Sequence, residues 1–173
     1  MPNQIGLDAA RHRNLEGREK QPWFRRTALA LLTLLPVLAL LNVFGQQPST
    51  SSAQGTAAGL RVSAPETVRG GLLFQARFDI DAHRPIKKPV LHLAGGWLEN
   101  LTLNTLEPSP TDEAWTRGGL ELTFLPVPAG GRLTVFIQYQ VNPTAVGRQS
   151  QSVALMDGKT MLGNVYRTLT VLP

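Results

Sequence analysis

Two patterns of apolar and polar residues divide the chain. From Thr27 to Phe44, eighteen consecutive residues carry no charge and are dominated by Leu and Ala, with no polar stripe. A helix of that length rises roughly 27 Å, close to the thickness of a hydrocarbon core. From about Leu60 the apolar period becomes two. In GLLFQARFDIDA, Leu72, Phe74, Ala76, Phe78 and Ile80 alternate with Gln75, Arg77, Asp79 and Asp81. That is the pattern of a strand with one face in a core and the other in water. It recurs at Leu101 and Leu103, at Leu120, Leu122 and Phe124, and from Leu133 to Val141, with a shorter strand around Val90–Leu93. Val153 and Leu155 lead into Asp157-Gly158, a two-residue hairpin signal, and Val165 to Leu172 supplies the last strand. No segment after residue 59 keeps a helical period. Seven or eight short strands with Gly/Pro turns predict an all-β, Ig-like antiparallel β-sandwich preceded by one transmembrane helix.

The flanks of the apolar run orient it. Arg25 and Arg26 abut its start, and no further charge occurs until Arg61. The positive-inside rule therefore places the N-terminus in the cytoplasm and the C-terminal domain outside the cell membrane. Trp23 and Phe24 stand where rings favour the lipid–water boundary, and Pro36 is tolerated in a membrane helix far better than in a soluble one. A cleaved signal would suit the small residues around Val43-Phe44-Gly45. However, the charged leader and the apolar run both exceed the usual signal core, so the anchor is expected to stay. The twin arginines would suit a twin-arginine signal, but they serve equally as a plain flank. The expected organisation is a disordered cytoplasmic tail (1–22), a transmembrane helix (23–45), a flexible tether (46–59) and a sandwich ectodomain (60–173). The tether is inferred from QQPSTSSAQGTAAG, which is uncharged and rich in small residues.

Charge and composition then remove several classes. The net charge is +5 and the pI about 10.2, which alone would suggest nucleic acid. Residues 1–26 hold six basic against three acidic side chains, and the rest hold eleven against nine. The basicity is mostly topogenic, so nucleic acid is not an expected partner. With no cysteine there is no disulfide, thiolate metal site, thiol nucleophile or lipoprotein anchor. No nucleophile elbow and no phosphate-cradling glycine loop appear, and no cofactor or enzyme activity is expected.

The segment LPVPAGGRLTVFIQYQVNPTAVG, Leu125 to Gly147, resembles the late strands of bacterial extracytoplasmic Ig-like, adhesion-related domains. Pro128-Ala129-Gly130-Gly131 supplies the turn, Leu133 to Val141 the alternating strand, and SVALMDGKTML the closing hairpin. The resemblance covers about the C-terminal third and implies display and interaction rather than catalysis. It carries no functional residues across.

Three groups are candidate sites. Asp79, Asp81 and His83 lie at i, i+2 and i+4, so continued strand geometry would put two carboxylates and an imidazole on one face. A divalent metal would need a further ligand from another strand. The plainer reading is a solvated face with Arg77 as a salt-bridge partner. Arg84, Lys87 and Lys88 form a short basic loop that would suit an anionic or glycan envelope polymer, or simply an exposed turn. Trp115, among Asp112, Glu113 and Arg117, is the expected exposed ring for binding, whereas Trp97 suits the core or its rim. The partners expected are the lipid bilayer, an envelope or membrane protein, and the anionic polymer as the alternative.

Overall fold

The computed structural model describes residues 21–41 and 46–173. The expected tail lies almost wholly outside the described residues, as does the end of the apolar run at 42–45. Helix α1 spans Gln21–Leu40 and contains Pro36. Its window Trp23–Leu40 has a mean hydropathy of 1.4 and is not buried within the structure, so it has the length and composition to cross a membrane. Thr27 Oγ1 donates to Trp23 O and Thr33 Oγ1 to Leu29 O, each at 3.0 Å. Their hydroxyls are thus satisfied within the helix, as an apolar solvent requires.

The remaining unit, residues 46–173, is an all-β sandwich with its own core. One sheet contains β1 (Pro48–Gln54), β2 (Ala58–Pro65), β4 (Leu73–Ala82), β9 (Arg132–Val141) and β6 (Leu101–Glu107), in that order. The other contains β3 (Thr67–Arg69), β11 (Thr160–Leu172), β10 (Gly147–Asp157), β5 (Pro89–Ala94), β8 (Gly119–Thr123) and β7 (Asp112–Thr116). Neighbours pair antiparallel except β3, which runs parallel to β11.

The period-two pattern decides which side chains enter the core. Phe74, Ala76, Phe78 and Ile80 of β4 are buried, as are Val135, Ile137, Tyr139 and Val141 of β9. Leu72 departs from the expectation: it precedes the strand and is exposed, because the chain is still leaving the turn at Gly70-Gly71. Phe74 stacks on Tyr139 at 5.3 Å, and Trp97 meets Tyr139 at 5.6 Å and Phe78 at 5.3 Å. Trp97 ends the 3-10 turn Gly95–Trp97 and is fully buried. Gly96 makes that possible, since a Cβ there would collide with the Ser150 carbonyl.

Two turns refine the sequence reading. Gly131 N–H donates to Pro128 O at 2.9 Å and Gly130 takes φ +74°, so the turn before β9 forms where expected. The β10–β11 hairpin closes one residue later than expected. Asp157 pairs with Thr160, leaving Gly158 and Lys159 as the turn. The freed Asp157 carboxylate accepts the Lys88 N–H at 2.8 Å.

The stretch expected to be a tether is instead largely strand. Pro48–Gln54 pairs with β2 through a seven-residue register, and Ala58 and Leu60 enter the core. Ser49, Ser51 and Ala53 alternate half-buried with exposed Pro48, Thr50, Ser52 and Gln54. Backbone pairing recruits this strand with little apolar burial, and composition alone does not register that.

Candidate interaction surfaces

Asp79 and Asp81 do project from one face of β4, together with Arg77, but arginines already hold them. Asp79 Oδ1 accepts Arg77 Nε at 3.0 Å and Nη2 at 2.9 Å, and Thr134 Oγ1 at 2.7 Å from β9. Burial pushes the Asp79 carboxyl up. The Thr134 and Arg77 hydrogen bonds, with the charges of Arg77 and Arg132, outweigh it and hold the group below its ordinary range. Asp81 accepts Arg132 Nε, and that bond with its charge raises the arginine. Arg77 also lies over the Phe136 ring at 5.6 Å. His83 falls past the end of β4, where its Nδ1 sits 3.2 Å from Gly55 O. Strand geometry does not continue to it. Among the described residues no group of three His, Cys, Asp or Glu gathers that could hold a metal. The face is an ion-pair ladder, Arg77–Asp79–Thr134 beside Asp81–Arg132.

Arg84, Lys87 and Lys88 are exposed in the connection between β4 and β5. Its backbone is pinned: Arg84 N–H donates to Ala57 O at 2.9 Å, and Ile86 pairs with Val127. Trp115 lies elsewhere. It pairs with Leu120, which pairs with Leu93, so Lys88 is five residues along and two strands across, on the order of 20 Å away. The basic loop and the ring do not form one site.

Trp115 belongs to a distinct feature. β7 ends its sheet, and all five of its residues are exposed, Trp115 to 72%. Trp115 and Glu113 stand opposite Leu120 and Leu122, both core residues of β8, so they share the inward side of the pleat. Being exposed on that side, they mark a strand that overhangs the covered core. An open groove of about 330 Å³ lies among the β6–β7 connection, the segment after β8 and the start of β9, and is lined by Pro108, Phe124, Leu125, Val127, Arg132 and Leu133. Leu125 is itself 71% exposed.

A fourth group was not singled out from sequence. Arg167 on β11 is only 6% exposed, and Gln151, directly opposite on β10, is fully buried. Arg167 Nη2 donates to Ala64 O at 2.6 Å and Pro65 O at 3.1 Å, clasping β2 where the chain leaves one sheet for the other. Its guanidinium lies 5.9 Å from the Trp97 ring centre. Its Nε and Nη1, both Gln151 amide atoms, Trp97 Nε1 and the Tyr139 hydroxyl have no hydrogen-bond partner among the described residues. Burial lowers the Arg167 pKa, partly offset by Glu66, and raises that of Tyr139. The signal was present in VYRTLTVL, where Arg167 falls in the same alternate set as Val165, Leu169 and Val171.

Among solved structures the chain finds distant matches at low sequence identity. A CARDB domain from Pyrococcus furiosus, crystallised in complex with di-metal ions, matches 72% of this chain and 89% of its own, with TM-score 0.43 and 9% identity. The solution structure of CaCohA2 from Clostridium acetobutylicum matches over 68% and 92%, with TM-score 0.45 and 13% identity. WR4, a C. elegans MSP family member, matches over 62% and 94%, with TM-score 0.35 and 10% identity. No protein-family model matches the sequence, and no curated protein matches it significantly. The chain is an Ig-like β-sandwich with one apolar N-terminal helix. The likeness extends to fold alone.

Proposed function

We propose that this chain is a non-catalytic, single-pass membrane protein that displays an Ig-like domain for docking another protein at the cell envelope. In this reading α1 lies in the bilayer with the N-terminus cytoplasmic, and the sandwich stands outside the cell membrane. The observation that carries the docking role is the β7 edge. It combines a terminal strand with a large exposed ring, and an apolar groove borders the connection that leads into it. Clustered exposed apolar surface beside free backbone groups marks interaction sites more often than scattered single residues do. The ladder on the opposite sheet offers less, because its central carboxylates are already neutralised by neighbouring arginines.

The test is photo-crosslinking in native membranes with a photoreactive residue at Ala114, and with one at Gln75 on the outer face of β4 as the control. A discrete crosslinked protein from Ala114 but not Gln75 supports the docking role, and no adduct from either position rejects it. Fractionation of the intact chain into the aqueous phase, or a mature N-terminus near Gln46, would remove the anchor from the proposal.

A further inference from the structure

The outer face of β10 and β11 carries a polar feature that the docking reading does not use. An open depression of about 410 Å³ lies where β3, β11 and β10 meet, and Glu66, Thr67, Arg148, Thr168 and Thr170 line it. Thr170 pairs with Arg148 on one side and with Thr67 on the other, and all three face away from the core set of Leu169 and Val171. Glu66 is fixed in place: its carbonyl accepts the Thr170 N–H at 2.8 Å and its Oε1 accepts Ser49 Oγ at 2.6 Å. Among the described residues the hydroxyls of Thr67, Thr168 and Thr170 and the Arg148 guanidinium have no hydrogen-bond or ion-pair partner. The volume falls within the range of small-molecule sites, about 300–1,000 Å³, but such sites are mostly apolar. A wall of hydroxyls and charges suits a ligand whose own surface is made of hydrogen-bonding groups.

Two further observations narrow the ligand. The first is charge. Glu66 is the acid of the depression, and its charge also offsets part of the cost of burying Arg167. Arg148 is in no ion pair among the described residues, and neither is Arg69, which follows Thr67 on the outer side of β3. This end of the face is therefore net positive. The second is an aromatic platform. Tyr166 lies on the same face of β11, two residues before Thr168 and about 7 Å from it along the strand, and it is 75% exposed. Ser152 and Ser150 stand opposite Tyr166 and Thr168 on β10, so the surface beside the ring is low and hydroxylated. An exposed ring followed by a row of hydroxyls and a cation matches a sugar chain. The C–H face of one sugar packs on the aromatic face, and the next sugar presents hydroxyls and an acid group.

We propose that this face binds an acidic polysaccharide, one that bears carboxylates on its sugar rings. One sugar lies on Tyr166, its neighbour fills the depression against Thr168 and Thr170, and the neighbour's carboxylate pairs with Arg148. Glu66 Oε2, which Ser49 leaves free, accepts a hydroxyl of the same sugar. A neutral sugar would leave Arg148 unanswered, and an acidic peptide would leave the threonine hydroxyls and the ring face unmatched. The site is separate from the β7 edge, since β10, β5 and β8 lie between β11 and β7. It stands or falls without the docking reading.

The test uses the full chain in micelles of an uncharged-headgroup detergent and fluorescently labelled trigalacturonate. Saturable binding is expected, about tenfold tighter than that of labelled maltotriose or of a terminally blocked triglutamate peptide of the same charge. Arg148→Gln should weaken it about tenfold and flatten its salt dependence, as loss of a charge-assisted pair. Tyr166→Ala should weaken it about fivefold with the salt dependence kept, as loss of an aromatic contact. Trp115→Ala should change nothing. Arg148 and Tyr166 are both exposed, so their variants should keep the unfolding midpoint of the parent. No saturable binding, equal binding of maltotriose or of triglutamate, or binding that Trp115→Ala weakens and Tyr166→Ala does not, would each overturn the proposal. Crosslinking from Ala114 is read separately and bears only on the docking role.

Discussion

Arg77 and Arg132, on the outer face of the five-stranded sheet, contrast with Arg167, on the inner face of the six-stranded one. The outer arginines have carboxylate partners two residues or one strand away, and water reaches both arginines. Arg167 has no buried carboxylate. It is held by two backbone carbonyls and lies near the Trp97 ring. The sequence around each arginine alternates in the same way, and only the register of the alternation separates them. One step along a strand exchanges a screened surface pair for a charge inside the sandwich. We therefore expect the exposed Arg132–Asp81 pair to count little toward holding this fold and the buried Arg167 to count for much.

The largest effect follows at Arg167. Arg167→Ala leaves the Ala64 and Pro65 carbonyls without their donor, removes the side chain beside Trp97 and opens a void between the sheets. A loss of about 3 kcal/mol is expected in chemical unfolding. Arg167→Met keeps much of the volume and removes the N–H groups that lack protein partners, so it should recover roughly half of that loss. If alanine and methionine cost the same, the void would be irrelevant and the carbonyl clasp would account for the whole effect.

Asp79 comes next. Asp79→Ala strips the acceptor from Arg77 and Thr134 on a partly covered face, for an expected loss of about 1 kcal/mol. The pH dependence follows from its lowered pKa. The folded protein binds the proton less readily than the unfolded chain, so the contribution of Asp79 is present above the unfolded value near pH 4. It is lost as pH falls through the lower folded value. Thermal unfolding from pH 7 to pH 2.5 should show this decline in the parent, with that part of it missing in Asp79→Asn. An unchanged acid profile in Asp79→Asn would place the acid sensitivity at other carboxylates.

How far these features were legible depends on what the pattern can encode. β4, β8, β9 and β11 were readable because each buries one full alternate set against a core. β1 was not, since Ser49, Ser51 and Ala53 enter the rim with almost no apolar signal. β7 was not, because both its faces are exposed and DEAWT keeps no alternation. Trp115 could be read as an exposed ring from its charged neighbours, but the apolar groove depends on the β6–β7 and β8–β9 connections meeting in space. Arg167 lay in plain view within an inward set. A charged residue in such a set is ordinarily assigned to the opposite face or to the strand's end, and here the crossover carbonyls overrule that expectation.

The smallest effect is expected at the Arg132–Asp81 pair, and it sets the lower end of the contrast. Both side chains reach water, so salt screens their attraction, and ordering two long chains offsets most of what remains. In a cycle of Arg132→Ala, Asp81→Ala and the double variant, the coupling should fall within the error of chemical unfolding. Raising the salt to 0.5 M should leave it there. The same cycle at Arg77 and Asp79 should give a resolvable coupling, because the Asp79 carboxylate is nearly covered and Thr134 fixes its direction. Equal couplings at the two pairs would mean that depth beneath the ladder surface does not matter. The ordering from Arg167 through Asp79 to Arg132 would then have to come from packing rather than from desolvation of charge.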